Sequence, residues 1–236
     1  MSAVFKREFK AFFTSPVGYF VLAVLFGFAG FYFFANNMYG RSADLTGVFG
    51  GLFTIVLLLV LPVLTMRLFS DEKRQRTDQA LLTAPVSLTG IALGKFFAAL
   101  LMFAIGISIT IVFAIIIAFQ VTPDWLVIIG NYVGLLLLGG MIIAIGMFIS
   151  SLTESQFIAA LGTFAISFAL LMVDSLASVF YSVSWIGTVV EFISVSARYN
   201  EFTSGVINYD NIVFFISMIG LFVFLTVRVL DRKRWS

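Results

Sequence analysis

The chain has 236 residues, 61% of them hydrophobic and only 11% charged, with a formal net charge of +2. A soluble domain is nearer half apolar and a quarter charged, so this composition excludes a water-soluble globule and points to an integral membrane protein. The absence of Cys and His removes disulfides, Cys/His metal sites, thiol nucleophiles and imidazole bases together.

Ahead of the first apolar run, VFKREFKAFFTSP puts Phe5, Phe9, Phe12 and Phe13 on one helical face with Lys6, Arg7 and Lys10 largely opposite. This pattern predicts a helix over 1–15 lying along the inner membrane interface. The alternative is a lead-in whose bases only orient the chain. The next run, VGYFVLAVLFGFAGFYFFA, has 19 residues. A signal-peptide core has roughly 7–15 residues and a small-residue cleavage site, and FFANNMYG matches one poorly, so a retained span is expected.

A helix needs about 20 apolar residues to cross a hydrocarbon core of about 30 Å. Besides 17–35, the stretches 48–66, 96–119, 125–149, 156–173 and 211–230 meet that requirement. None alternates apolar and polar residues as a barrel strand does, so an all-α protein of six spans is predicted. Pro62 is expected to kink the second span.

With the N-terminus inside, the inner segments hold three, five and four basic residues, twelve in all, against Arg41 and Arg198 outside. That asymmetry predicts both termini and the 67–95 loop in the cytoplasm. The link between spans four and five is only SSLTES, 150–155. Thr153 and Gln156 have capping-box spacing there, and Glu154 is favourable beside a helix N-terminus; a partner contact by Glu154 is the alternative. Residues 174–210 are too apolar for a solvated loop and too interrupted by Ser, Gly and Glu191 for a good span. One or two short re-entrant helices, over 176–208, are expected to cover the outer end of the bundle.

The spans hold almost no ionisable groups, which argues against an ion-coupled carrier or pump. Lys95 and Arg228 are expected to snorkel to the inner interface and Asp174 to close the fifth span. There is no GxxxxGK[ST] phosphate loop; Gly94-Lys95 is followed by Phe. The chain is therefore not expected to hydrolyse ATP, and no catalytic, cofactor or metal residue is expected in it.

Seven charges, Arg67, Asp71, Glu72, Lys73, Arg74, Arg76 and Asp78, fall within twelve positions. Glu72 and Arg76 are four apart, as are Arg74 and Asp78, so a helix would pair them. Mixed charge followed by the apolar Ala80, Leu81 and Leu82 suits docking on a soluble protein better than lipid binding. A solvated loop that only sets orientation stays open on composition alone.

The residue order adds to this. EKRQRTDQALLTAPVSLTGIALGKF resembles the cytoplasmic loop of type-2 ABC exporter permeases, with a pattern like E-x-x-x-G-T-x-E-x-L-L-x-x-P-V-S and then G-K at the next span. Glu72, Thr77, Leu81, Leu82, Pro85, Val86, Ser87, Gly94 and Lys95 match. Arg76 stands where Gly is usual and Gln79 where Glu is usual. The C-terminal part, from Ser194 through Tyr199, Phe202, Gly205, Val206 and Ile207 to Arg234-Trp235, is similar to gliding-motility-type permeases and their nitrous-oxide-reductase-accessory relatives.

The resemblance implies a half-transporter in a bacterial cytoplasmic membrane. Two permease copies, or one with a homologue, would pair with two cytoplasmic ABC ATPase subunits that carry the ATP and Mg. No nucleic acid is implied, and lipid surrounds the spans. Glu72, Arg74, Arg76, Thr77, Asp78, Leu81, Leu82 and Pro85 would form a coupling helix within 67–94, with Glu154 in a smaller second contact. Trp185, Glu191, Tyr199, Phe202 and Gly205 would belong to the outer gate. Alternatives are a membrane anchor or mechanical subunit that moves no solute, or an ATP-independent channel or carrier.

Overall fold

The computed structural model describes residues 1–77, 87–180, 194–206 and 208–235, without the side chains of 174–180 and 235. Among these every regular element is a helix, and six helices are long and apolar enough to cross a membrane. It is an all-α integral membrane protein.

An amphipathic helix α1 (Ser2–Thr14) leads into α2 (Pro16–Phe33), whose first turn takes Pro16 where no backbone donor is needed. A π-helical segment, Phe34–Tyr39, completes the first span. The second runs through α3 (Thr46–Ile55), a π segment Val56–Val60 and α4 (Leu61–Thr65), then turns into the five-residue α5 (Ser70–Arg74). Pro62 lies in the first turn of α4, just after the π segment, where its missing N–H falls at a change of hydrogen-bond register.

The third span, α6 (Leu88–Ile107) and α7 (Ile109–Ala118), starts eight residues earlier than its apolar run suggested. The cause is Ser87, whose hydroxyl accepts from Gly90 N at 3.2 Å and caps the helix. Helix α8 (Trp125–Leu152), capped by Asp124, is the fourth span and the most enclosed. Helices α9 (Gln156–Phe180) and α11 (Tyr209–Trp235) are the fifth and sixth, and few of their described side chains are fully buried. The short α10 (Val195–Thr203) lies between them in sequence.

The capping box expected at Thr153 and Gln156 does not form. Ser155 caps α9, accepting weakly from Ile158 N at 3.4 Å, and Gln156 reaches across to Asp71 instead. With six crossings, both ends of the chain lie at the same end of the bundle as α5. That end, the basic end of the bundle, carries most of the Lys and Arg.

Candidate functional site

At the basic end, α1, α5 and α6 meet around four charges. Lys95 Nζ lies 3.1 Å from Glu8 Oε1 and 3.1 Å from Glu72 Oε1, with only 1% of its side chain exposed. Arg7 bridges the same two carboxylates at 2.6 Å each. The ring of Phe69 backs the Lys95 ammonium at 5.0 Å. The expected snorkelling of Lys95 is therefore corrected: the ammonium is held inside the protein, because two carboxylates replace the water it would otherwise seek.

The helical sequence explains the arrangement. Val4, Glu8 and Phe12 share one stripe of α1 at four-residue spacing, and Val4 and Phe12 are buried. A carboxylate on that stripe requires a cation, and Lys95 in the facing helix supplies it. Gly94 allows the approach: a Cβ there would meet Val4 Cβ at 3.1 Å. The Gly94-Lys95 dipeptide thus does two things, letting α1 sit close and neutralising the acids beneath it. Burial alone would raise the Glu8 carboxyl, but the Lys95 ammonium and Arg7 guanidinium outweigh it and hold the carboxyl below its ordinary value.

Helix α5 is fastened on its other side by the link between spans four and five. Ser150 Oγ, fully buried, accepts from Phe69 N at 3.0 Å and Ser70 N at 3.1 Å and donates to Met66 O at 3.2 Å. It stands in for the helical acceptors that the turn between α4 and α5 leaves out. Lys73 donates to Ser151 O, Gln156 to Asp71, and Arg67 pairs with Asp71 at 3.1 Å.

The charged stretch is thereby divided. Arg67, Asp71, Glu72 and Lys73 are committed within the chain, while Arg74, Gln75, Arg76 and Thr77 are exposed. The expected helical pair Glu72–Arg76 does not form, because α5 ends at Arg74. There Arg76 takes φ +56°. Thr77 N donates to Glu72 O at 2.9 Å and Arg76 N to Lys73 O at 3.0 Å. This is a Schellman cap with Arg76 at the left-handed position that glycine fills without strain. The family pattern's Gly therefore has a conformational reason, and Arg76 occupies that position at a cost. Asp78, Leu81, Leu82 and Pro85 lie outside the described residues, as does the pairing of Arg74 with Asp78. Glu154 is exposed.

A polar pocket of about 240 Å³ opens between these elements, lined by Arg7, Glu8, Arg67, Asp71, Glu72 and Lys95 among others. Among the described residues no three acidic, His or Cys side chains gather as a metal-ligand set.

At the opposite end, α10 seats on α8. Phe202, fully buried, lies over Gly130 and Gly134; a Cβ on Gly134 would meet Phe202 Cβ at 2.9 Å. Tyr199 stacks on Phe53 at 4.7 Å and donates to Asn131 Oδ1 at 3.3 Å, where Thr203 also donates at 3.1 Å. Burial pushes the Tyr199 hydroxyl up, keeping it a neutral donor. Gly205, at φ +75°, closes a second Schellman cap: Val206 N donates to Glu201 O and Gly205 N to Phe202 O. Tyr199, Phe202 and Gly205 thus anchor and end α10; Trp185 and Glu191 lie outside the described residues.

Sequence reasoning missed Glu8, Ser150, Lys73 and Asn131 as organising residues. Only Glu8 had a readable signal, its place on the Val4–Phe12 stripe. Ser150 and Asn131 act through partners more than sixty residues away.

A search of curated proteins finds no match to this chain. A family model described as ABC-2 family transporter protein matches residues 6–173, from within α1 to within the fifth span, and includes Arg7, Glu8, Glu72, Lys95 and Ser150. The chain belongs to the ABC-2 family of transporter proteins and is the membrane-spanning subunit of an ABC transporter.

Proposed function

We propose that this chain couples ATP hydrolysis on a separate ABC ATPase subunit to export across the membrane, with α5 and the residues after it as the docking element. The observation that carries this reading is the division of the charged stretch. Its inward residues are tied to α1 through Arg7, to the third span through Lys95, and to the turn between spans four and five through Ser150, Ser151 and Gln156. Its outward residues, Arg74 to Thr77, are exposed.

A partner that grips Arg74 and Arg76 moves a rigid, hydrogen-bonded unit, because displacing α5 alone strands buried charges. Motion then reaches spans two to five together. The docking face is carried by the basic residues, since Glu72 is engaged inward. Two such chains, or one with a homologue, would complete the permease over two ATPases. Both ends of the chain would be cytoplasmic, and the bacterial cytoplasmic membrane is the setting the resemblance implies. The gliding-motility-type kinship rests on residues 194–235, beyond the stretch that the family match covers.

The test is charge reversal at Arg74 and Arg76 in the purified complex with its ATPase. The double change to Glu is expected to leave the thermal unfolding temperature nearly unchanged while abolishing substrate-stimulated ATPase activity. Unimpaired stimulation would remove the docking role. Substrate flux in vesicles holding this chain alone would favour the carrier reading, and an ATPase rate indifferent to every tested solute the mechanical one.

A further inference from the structure

At the end of the bundle opposite the termini, three unusual features meet at one place. The first span ends in a π-helical segment, Phe34–Tyr39, a deviation frequent at functional sites. Two residues on, Arg41 holds φ +52°, a conformation that strains a non-glycine residue. Within the π segment Asn37 is 8% exposed, and its Oδ1 is buried without a hydrogen-bond partner.

The orientation of that amide is fixed. Its Nδ2 donates to Ser42 O at 2.8 Å and Asp44 O at 2.9 Å, both carbonyls, so only the oxygen is left over. An unpaired buried acceptor costs about 1–3 kcal/mol, so one is retained where something else satisfies it.

Asn37 and Arg41 both line a cavity of about 320 Å³ between the first and third spans. At about 30 Å³ per water it would hold roughly ten, far more than one bridging molecule needs. Phe33, Ile116 and Ile117 form an apolar wall, and Gln120 adds a neutral amide at the rim. Phe33 is pinned by stacking on Phe113 at 4.3 Å. Ile116 is exposed on the outside of the bundle. No acidic side chain lines the cavity, and among the described residues no carboxylate pairs with the Arg41 guanidinium.

We infer that this cavity binds an anionic phospholipid through a glycerol-phosphate headgroup. The phosphate meets Arg41, a headgroup hydroxyl donates to Asn37 Oδ1, and the upper acyl chain lies along Phe33, Ile116 and Ile117. A cation with no counter-charge selects a net negative headgroup over a zwitterion, whose ammonium would find no carboxylate in the cavity. The buried acceptor selects a headgroup with a hydroxyl over one without. The inference is independent of how the chain couples to an ATPase.

The experiment is a titration of the purified chain in neutral detergent, read by native mass spectrometry and thermal unfolding. The probes are dihexanoyl phosphatidylglycerol, phosphatidylmethanol, phosphatidylethanolamine and free glycerol phosphate. The expected order is phosphatidylglycerol tightest and phosphatidylmethanol several-fold weaker for want of the hydroxyl. Phosphatidylethanolamine and glycerol phosphate should be weaker still. Arg41→Gly removes the guanidinium and relieves the positive φ, so it is expected to raise the unfolding temperature without lipid while weakening phosphatidylglycerol about tenfold or more. Arg41→Lys should recover part of the binding. Equal binding to wild type and Arg41→Gly, equal binding of phosphatidylethanolamine, glycerol phosphate as tight as the lipid, or no bound phosphatidylglycerol would each overturn the site.

Discussion

Lys95 Nζ and Glu72 Oε1 lie 3.1 Å apart, joining the start of the third span directly to the short helix that ends the second. The pair is shielded from water on the lysine side, and Glu8 shares the same ammonium. Replacing Lys95 by Met strands two largely buried carboxylates with only the half-exposed Arg7 to balance them. The expected loss is about 3 kcal/mol of stability. Lys95→Met combined with Glu8→Gln and Glu72→Gln should be less damaging than Lys95→Met alone, because the triple change leaves no unpaired charge. Thermal unfolding in detergent of the two variants checks this.

The same cluster makes stability depend on acid. Glu8 titrates lower in the fold than in the unfolded chain, because Lys95 and Arg7 together overcome its burial. Its contribution is therefore fully present above the ordinary carboxylate value and is lost as pH falls through and below it. Unfolding temperature is expected to drop across that acidic window in the wild type and to drop less in Glu8→Gln. Equal acid sensitivity of the two would remove Glu8 as the responsible group.

The two Schellman caps make opposite expectations. Arg76 and Gly205 hold the equivalent left-handed position, at φ +56° and +75°. Arg76→Gly should stabilise the protein by about 1 kcal/mol, and Gly205→Ala should destabilise it by about 1–2 kcal/mol. A Cβ at 205 would also press on Val127 Cγ2 at 3.3 Å. Measured unfolding shifts of the same sign would contradict the cap assignment.

Helix α10 is held by shape as much as by hydrogen bonds. Phe202→Ala is expected to cost about 3–5 kcal/mol by emptying the space over Gly130 and Gly134. Gly134→Val attacks the same contact from the other side, since its Cβ alone would sit 2.9 Å from Phe202 Cβ. Hydrogen exchange should show faster exchange across 195–203 in both variants, with the basic-end helices unchanged.

Much of the architecture was legible from composition. The number of spans, the amphipathic first helix and the separate character of the 67–78 stretch follow from apolar length and charge, which a chain displays without folding. The family pattern was legible too, yet its physical content was not. Glu72, Gly94, Lys95 and Ser87 read as motif letters until packing gave each a physical role. Glu72 and Lys95 are a carboxylate and its ammonium, Gly94 permits a close approach, and Ser87 caps a helix. Expectations that failed were local ones. A four-residue spacing predicted Glu72–Arg76, but the helix stopped first and Glu72 found better cations on two other elements. Capping-box spacing predicted Thr153 and Gln156, but Asp71 drew Gln156 away.

By itself the sequence determined that this protein lives in lipid, how often it crosses, and which stretch stands apart by charge. These are consequences of one-dimensional quantities, the length of apolar runs and the distribution of Lys and Arg. Only the tertiary structure decided how that charge is spent. In a low-dielectric surrounding each buried ion must find a partner, and Arg7, Glu8, Glu72 and Lys95 find theirs across nearly ninety residues of chain. Which charges turn inward and which remain exposed depends on that packing, because helix spacing fixes only neighbours within a helix.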